Sequence, residues 1–244
     1  MRISFLIAIT GLIFITACNG QVNTSTQQPE DLQMSHYELT PETAHPKARK
    51  LLTEDFYWSP IEETGPFGSD DGSDAFYGFR EWRMSNKKAS PVKFIEELLI
   101  NWNYPEFNLN ELDSSKIRDY ISAKTQPGSP DLSDQMPAMM EHFKQMAKEA
   151  GKEFDENQFK EIMAAASDSM GGTYLLGIDN AIIAVGFGQF VLEGKIDEDI
   201  KVLAQTAIKR ELLPVLTDRW DGPYKKTRME QLNSMLRVID KMNE

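Results

Sequence analysis

An all-α fold is predicted by three features of this 244-residue chain. Apolar residues recur at helical spacing, as Ala75, Phe79 and Trp82 do at i, i+4 and i+7. Prolines, glycines and capping residues punctuate the chain where such stretches begin and end. The longest apolar run, 178–193, is helical by its length and by its flanks, Asp179-Asn180 ahead and Gly194 behind. Together they predict a single irregular helical domain over 37–244, with a helical hairpin inserted at 125–171, carried on a disordered N-terminal tether.

The leader comes first in the chain. Arg2, the apolar run Ile3 to Ile15 and the small residues before Cys18 have the layout of a signal peptide over 1–17, too short to span a bilayer stably. The cleavage site resembles the lipobox of bacterial lipoproteins, and the resemblance implies that Cys18, the sole cysteine, is lipidated and begins the mature chain. Each buried acyl methylene contributes about 0.8 kcal/mol, so several chains on one cysteine make a permanent anchor. By resemblance to enteric lipoproteins, Asn19 after that cysteine implies sorting to the outer membrane, with the domain facing the periplasm or the cell surface. The competing reading is an ordinary secretory peptide with Cys18 merely near the cut. Residues 18–36 hold almost nothing that can enter a core and read as a flexible tether.

Structure is expected from Tyr37. Thr43-Ala44-His45-Pro46 opens a short helix whose buried positions are Leu51 and Leu52. Pro60, Gly65 and Pro66 make a loop, after which Ser69 is the N-cap of a helix with an acidic first turn. Pro91 opens another, striped by Phe94, Ile95, Leu98, Leu99 and Trp102, and a shorter one runs over 114–123. Thr125–Pro130 and Met170-Gly171-Gly172 read as breaks bounding the hairpin, whose arms are 134–150 and 155–168. Ala181, Ala184 and Gly188 would let a neighbour approach the 178–193 helix closely. Helices over 197–217, kinked near Pro214, and 225–242 complete the domain.

The segment Pro66-Phe67-Gly68-Ser69-Asp70-Asp71-Gly72-Ser73-Asp74 with Trp82 behind it, the helix ending Leu192-Glu193-Gly194, and Leu212-Leu213 followed by Trp220 resemble a YfeS-like group of bacterial proteins. The resemblance covers 37–110 and 173–240. It implies a helical fold, no activity, and no catalytic residue to carry over.

Lys and Arg number 26 against 38 Asp and Glu, a net charge of −12 that repels phosphate backbones and excludes a nucleic-acid partner. With Cys18 taken by lipid, disulfides and thiolate metal sites are excluded as well. Three groups then compete as sites. Asp70, Asp71 and Asp74, with Glu62 and Glu63 nearby, are hard oxygen ligands for Ca²⁺ or a carboxylate pair for hydrolysis. They do not fit an EF-hand, since Phe67 and Gly78 fall where carboxylates belong. The plainer reading is a helix cap paired with Arg80 or Arg83. Met136, Met139, Met140, Phe143 and Met146 share a helix face, with His142 at its edge. That face is a core surface, a docking face for a protein, or a Cu(I) site of thioethers and imidazole. The aromatic cluster Phe56, Tyr57, Trp58, Phe67, Phe76, Phe79 and Trp82 is core in preference to a pocket floor. The chain lacks G-x-S-x-G, H-E-x-x-H and P-loop motifs.

The expectation is therefore a membrane-anchored, non-enzymatic interaction module of the bacterial envelope without a cofactor, binding a protein such as a basic toxin or an envelope assembly. The alternatives are a hydrolase or Ca²⁺-dependent enzyme built on residues 70–74, and Cu(I) handling by the Met-rich helix.

Overall fold

The computed structural model describes residues 37–122 and 136–244, with the backbone alone over 161–169. The predicted leader, Cys18, the tether and the Thr125–Pro130 break lie outside the described residues. Among those described there are nine α-helices, one 3-10 turn and no strand, so the all-α prediction holds.

The first helices start where local chemistry says they should. In α1 (Pro46–Leu51) the His45 Nδ1 accepts from the Lys47 N–H at 3.2 Å and proline occupies the first turn. The 3-10 turn Asp55–Tyr57 follows. Ser69 caps α2 (Asp70–Ser85) by accepting from the Gly72 N–H at 3.1 Å. Ser90 does the same for α3 (Pro91–Asn101) through Val92. Each cap satisfies an N–H that the helix itself leaves unpaired. Next come α4 (Ser114–Ser122), α5 (Met136–Glu149), α6 (Glu156–Glu193), α7 (Glu198–Glu211), α8 (Pro214–Thr217) and α9 (Gly222–Ile239).

The core is organised round α6. α1, α2, α3, α4 and α7 all pack against it, and α9 lies on α7. Phe76 and Phe79 of α2 are fully buried, and a Cβ at Gly188 would come within 2.7 Å of the Phe76 ring, so glycine there sets how closely α2 approaches α6. Gly194 ends α6 in the left-handed conformation, φ 66°, that glycine adopts without strain. The aromatic cluster is core at Phe56, Tyr57, Phe67, Phe76 and Phe79, while Trp58 and Trp82 are partly buried and pack against it. Residues 170–193 are long and apolar enough to cross a membrane, but 89% of the most apolar window is buried inside the domain.

Three expectations are corrected. Met170-Gly171-Gly172 does not break the chain: α6 runs unbroken for 38 residues, so the second arm of the predicted 125–171 hairpin is the first part of the central helix. The glycines there are contact residues, since a Cβ on Gly171 would meet the Tyr120 carbonyl oxygen at 2.5 Å and one on Gly172 would enter the Arg219 guanidinium. Pro214 does not kink one helix but separates two, α7 and α8. It biases Leu213 out of the helical region (ψ 141°) and then serves as the first residue of α8. Nor do Arg80 and Arg83 pair with the aspartates of α2. Arg83 reaches Glu193 and Asp197 instead, and the Arg80 guanidinium lies 4.7 Å from the centre of the Tyr37 ring.

Candidate functional site

The buried charges form a frame beneath the surface features. Asp179 and Arg210 are both fully buried and joined by a salt bridge. Burial pushes the Asp179 carboxyl up, and the Arg210 charge opposes that rise. The Arg210 Nη1 also donates to the carbonyls of Leu109 and Glu111, each at 2.9 Å. Arg228, 3% exposed, donates to the Thr64 carbonyl at 3.2 Å, to Asn180 at 3.1 Å and to Glu211 at 3.4 Å. Each arginine thus fastens a loop to α6, because loop carbonyls buried away from water need donors.

Two of the three predicted aspartates border one cavity. It has a volume of about 190 Å³ and is lined by Glu63, Asp70, Asp71, Asn180, Tyr224 and Arg228, among others. Asp74, one helical turn on, is exposed and is not part of that lining. Asp71 is already engaged, accepting from the Tyr104 hydroxyl at 2.6 Å. Burial, and then this bond, hold the Tyr104 hydroxyl above the ordinary phenol range. Among the described residues no group of three or more His, Cys, Asp or Glu side chains is placed to hold a metal ion. At the acidic turn Ser69 caps the backbone and Asp71 serves the Tyr104 hydroxyl. Asn180, Tyr224 and Arg228 escaped the sequence reading. They lie more than a hundred residues from Asp70, and no local pattern marks them.

The Met-rich helix departs further from expectation. No residue of α5 is fully buried: of the face read as core, docking or Cu(I) surface, Met136, Met139 and Met140 are half-buried. Phe143 and Met146 are 40% and 44% exposed. What holds α5 is modest: the Phe143 and Phe159 ring centres lie 5.3 Å apart, Lys144 is within 3.9 Å of Glu156, and its ammonium lies 5.9 Å from the centre of the Phe154 ring. The exposed Lys144–Glu156 pair contributes little, whereas Phe159 is 7% exposed and is the one buried ring that α5 packs on.

No protein-family model, curated protein or solved structure matches this chain. The chemistry of its surfaces is the ground for a functional reading.

Proposed function

We propose that this protein is a non-enzymatic interaction module of the bacterial cell envelope, anchored through lipid on Cys18 and displayed by its tether at the outer membrane. The observation that carries the reading is α5, a fourteen-residue helix with an apolar stripe and no buried residue. A stripe of methionines that its own domain covers only in part, Met136, Met139 and Met140 half-buried and Met146 exposed, is an adaptable surface for another protein, because the unbranched thioether repacks against varied shapes. Kinship with the YfeS-like group belongs to the same proposal and rests on the residues that carry the resemblance, the Pro66–Asp74 segment that leads into α2 and Trp82 near that helix's end. The net charge favours a basic partner.

The test has two arms. Cys18→Ser is expected to move the protein out of the membrane fraction. Wild-type protein found wholly soluble, without proteolysis, would end the lipoprotein reading. Met139→Glu with Met140→Glu is expected to leave the fold intact by circular dichroism while abolishing crosslinks that a photoreactive group placed at residue 143 makes to a partner in cells. Crosslinks that survive the glutamates unchanged would remove α5 as the docking face.

Ca²⁺-dependent chemistry at residues 70–74 has less behind it, since Oδ1 of Asp71 already accepts from Tyr104 and Asp74 lies outside the cavity lining. Millimolar Ca²⁺ is expected to leave the melting temperature unchanged. A saturated site at 100 times its Kd would add about 2.7 kcal/mol.

A further inference from the structure

Between α3 and α4 the chain runs from 102 to 113 without helix or strand, yet it is held from beneath at three points. The Tyr104 hydroxyl donates to Asp71 at 2.6 Å, the Tyr120 hydroxyl donates to the Pro105 carbonyl at 3.1 Å, and Arg210 donates to the carbonyls of Leu109 and Glu111. Arg210 has no exposed side-chain surface and Asp71 is half-buried in the first turn of α2, so anchors from distant elements add to the loop's own hydrogen bonds, such as Asn110 N–H to Asn108 and Asp113 N–H to Glu111. Apolar residues of similar volume serve stability as well as a buried ion pair does. Arg210, held by Asp179, is the link between this loop and α6.

That fixed loop and the C-terminal half of α3 enclose a groove of about 560 Å³. Leu99, Ile100, Phe107 and Leu109 give it an apolar surface, and Glu96 and Glu106 are the charged residues of its lining, with no Lys or Arg among them. Ile100 is 76% exposed. A rigid apolar groove with acids alone for charge, on a chain of net charge −12, complements a cation-flanked apolar segment and repels an anionic one. Pre-organisation adds to this, since a loop already fixed loses no freedom on binding.

We propose that this groove docks a basic amphipathic segment of another protein, an apolar side chain seating between Ile100 and Phe107 while flanking Lys or Arg residues face Glu96 and Glu106. The mode is that of a helix laid in a groove. The inference rests on the reading of the protein as an interaction module, but it uses a surface to which α5 contributes nothing.

The experiment uses the full-length lipoprotein in phosphatidylcholine nanodiscs, with empty discs as reference. The probes are a synthetic peptide with one leucine stripe flanked by lysines and its counterpart flanked by glutamates. The lysine peptide is expected to bind, and the glutamate peptide to bind at least tenfold more weakly. Ile100→Glu is expected to lower affinity for the lysine peptide at least tenfold although it adds negative charge, and Glu96→Lys with Glu106→Lys to lower it as much. Both variants change exposed or groove-lining side chains, and circular dichroism is expected to match wild type. Met139→Glu with Met140→Glu is expected to leave peptide binding unchanged, which separates failure of the groove from failure of α5. Absence of binding, equal binding of the two peptides, or undiminished binding to Ile100→Glu would overturn the proposal. So would a wild-type dimer that Ile100→Glu dissociates, since a second copy would then be the occupant.

Discussion

In α6 every residue from Gly177 to Val191 is buried, whereas in α5 none of fourteen is. Both helices carry ample apolar residues, and both were recognisable as helices. The difference lies in what the remaining positions offer. α6 uses Ala181, Ala184 and Gly188, which let neighbours come close on every side, and each buried polar group on it has a partner: Asp179 with Arg210, Asn180 with Arg228, Gln189 with the Asp197 N–H at 2.9 Å. α5 sets long methionines among Glu141, Lys144, Gln145 and Lys148, and these demand water on most of its circumference. Helical periodicity thus announces a helix, while close approach and satisfied polar groups decide whether it is buried.

The contrast is broken most forcefully at Arg210. Arg210→Ala leaves Asp179 buried without its countercharge, an expected loss of about 3–5 kcal/mol in urea unfolding. Pairing it with Asp179→Leu should recover most of that loss, because a neutral apolar pair of similar volume needs no countercharge. A double variant as unstable as Arg210→Ala would show that the loop carbonyls of Leu109 and Glu111, and not the charge, carry the cost.

A smaller effect is expected at Gly188. The added methyl of Gly188→Ala meets Phe76 at 2.7 Å, and overpacking of this kind costs about 1–3 kcal/mol. Phe76→Leu in the same chain should restore part of the loss. If Gly188→Ala proves silent, α2 and α6 are less closely packed than the contrast with α5 requires.

Tyr57 supplies a pH test of the same core. Burial pushes its hydroxyl up to about 12, the neighbouring Ser234 hydroxyl, which can turn to donate to a phenolate, offsetting part of the rise. Its folded pKa thus lies above the unfolded value near 10. The sign follows: the unfolded chain releases this proton first, so the stability it contributes is complete below pH 10 and is lost as pH rises towards about 12. Denaturant midpoints measured across that range should fall for wild type and fall less for Tyr57→Phe. Parallel curves for the two would contradict the burial of the hydroxyl.

The smallest effect belongs to α5. Met146→Ser, at a position 44% exposed, should alter unfolding free energy by no more than about 0.5 kcal/mol. A loss approaching that of a core methionine, about 2–5 kcal/mol, would mean that α5 is packed after all.

What the amino-acid order determined unaided was the helical class and most helix starts. Ser69 and Ser90 accept from N–H groups three and two residues on, the prolines at 46 and 91 fix their own φ in a first turn that needs no N–H from them, and Gly194 ends α6 by its own backbone freedom, so these features travel with a short stretch of chain. Tertiary structure decided the rest. Whether Gly171-Gly172 interrupts a helix or admits Tyr120 and Arg219 depends on partners fifty residues away, and the pair reads the same in either case. The cavity that joins Asp70 to Arg228 is made by residues with no local relation to one another, and the groove, although lined mainly by residues 96–109, is held from beneath by Arg210 of a distant helix. Capping is a contact within one turn of chain, while burial and site geometry are contacts between turns that only the folded packing brings together.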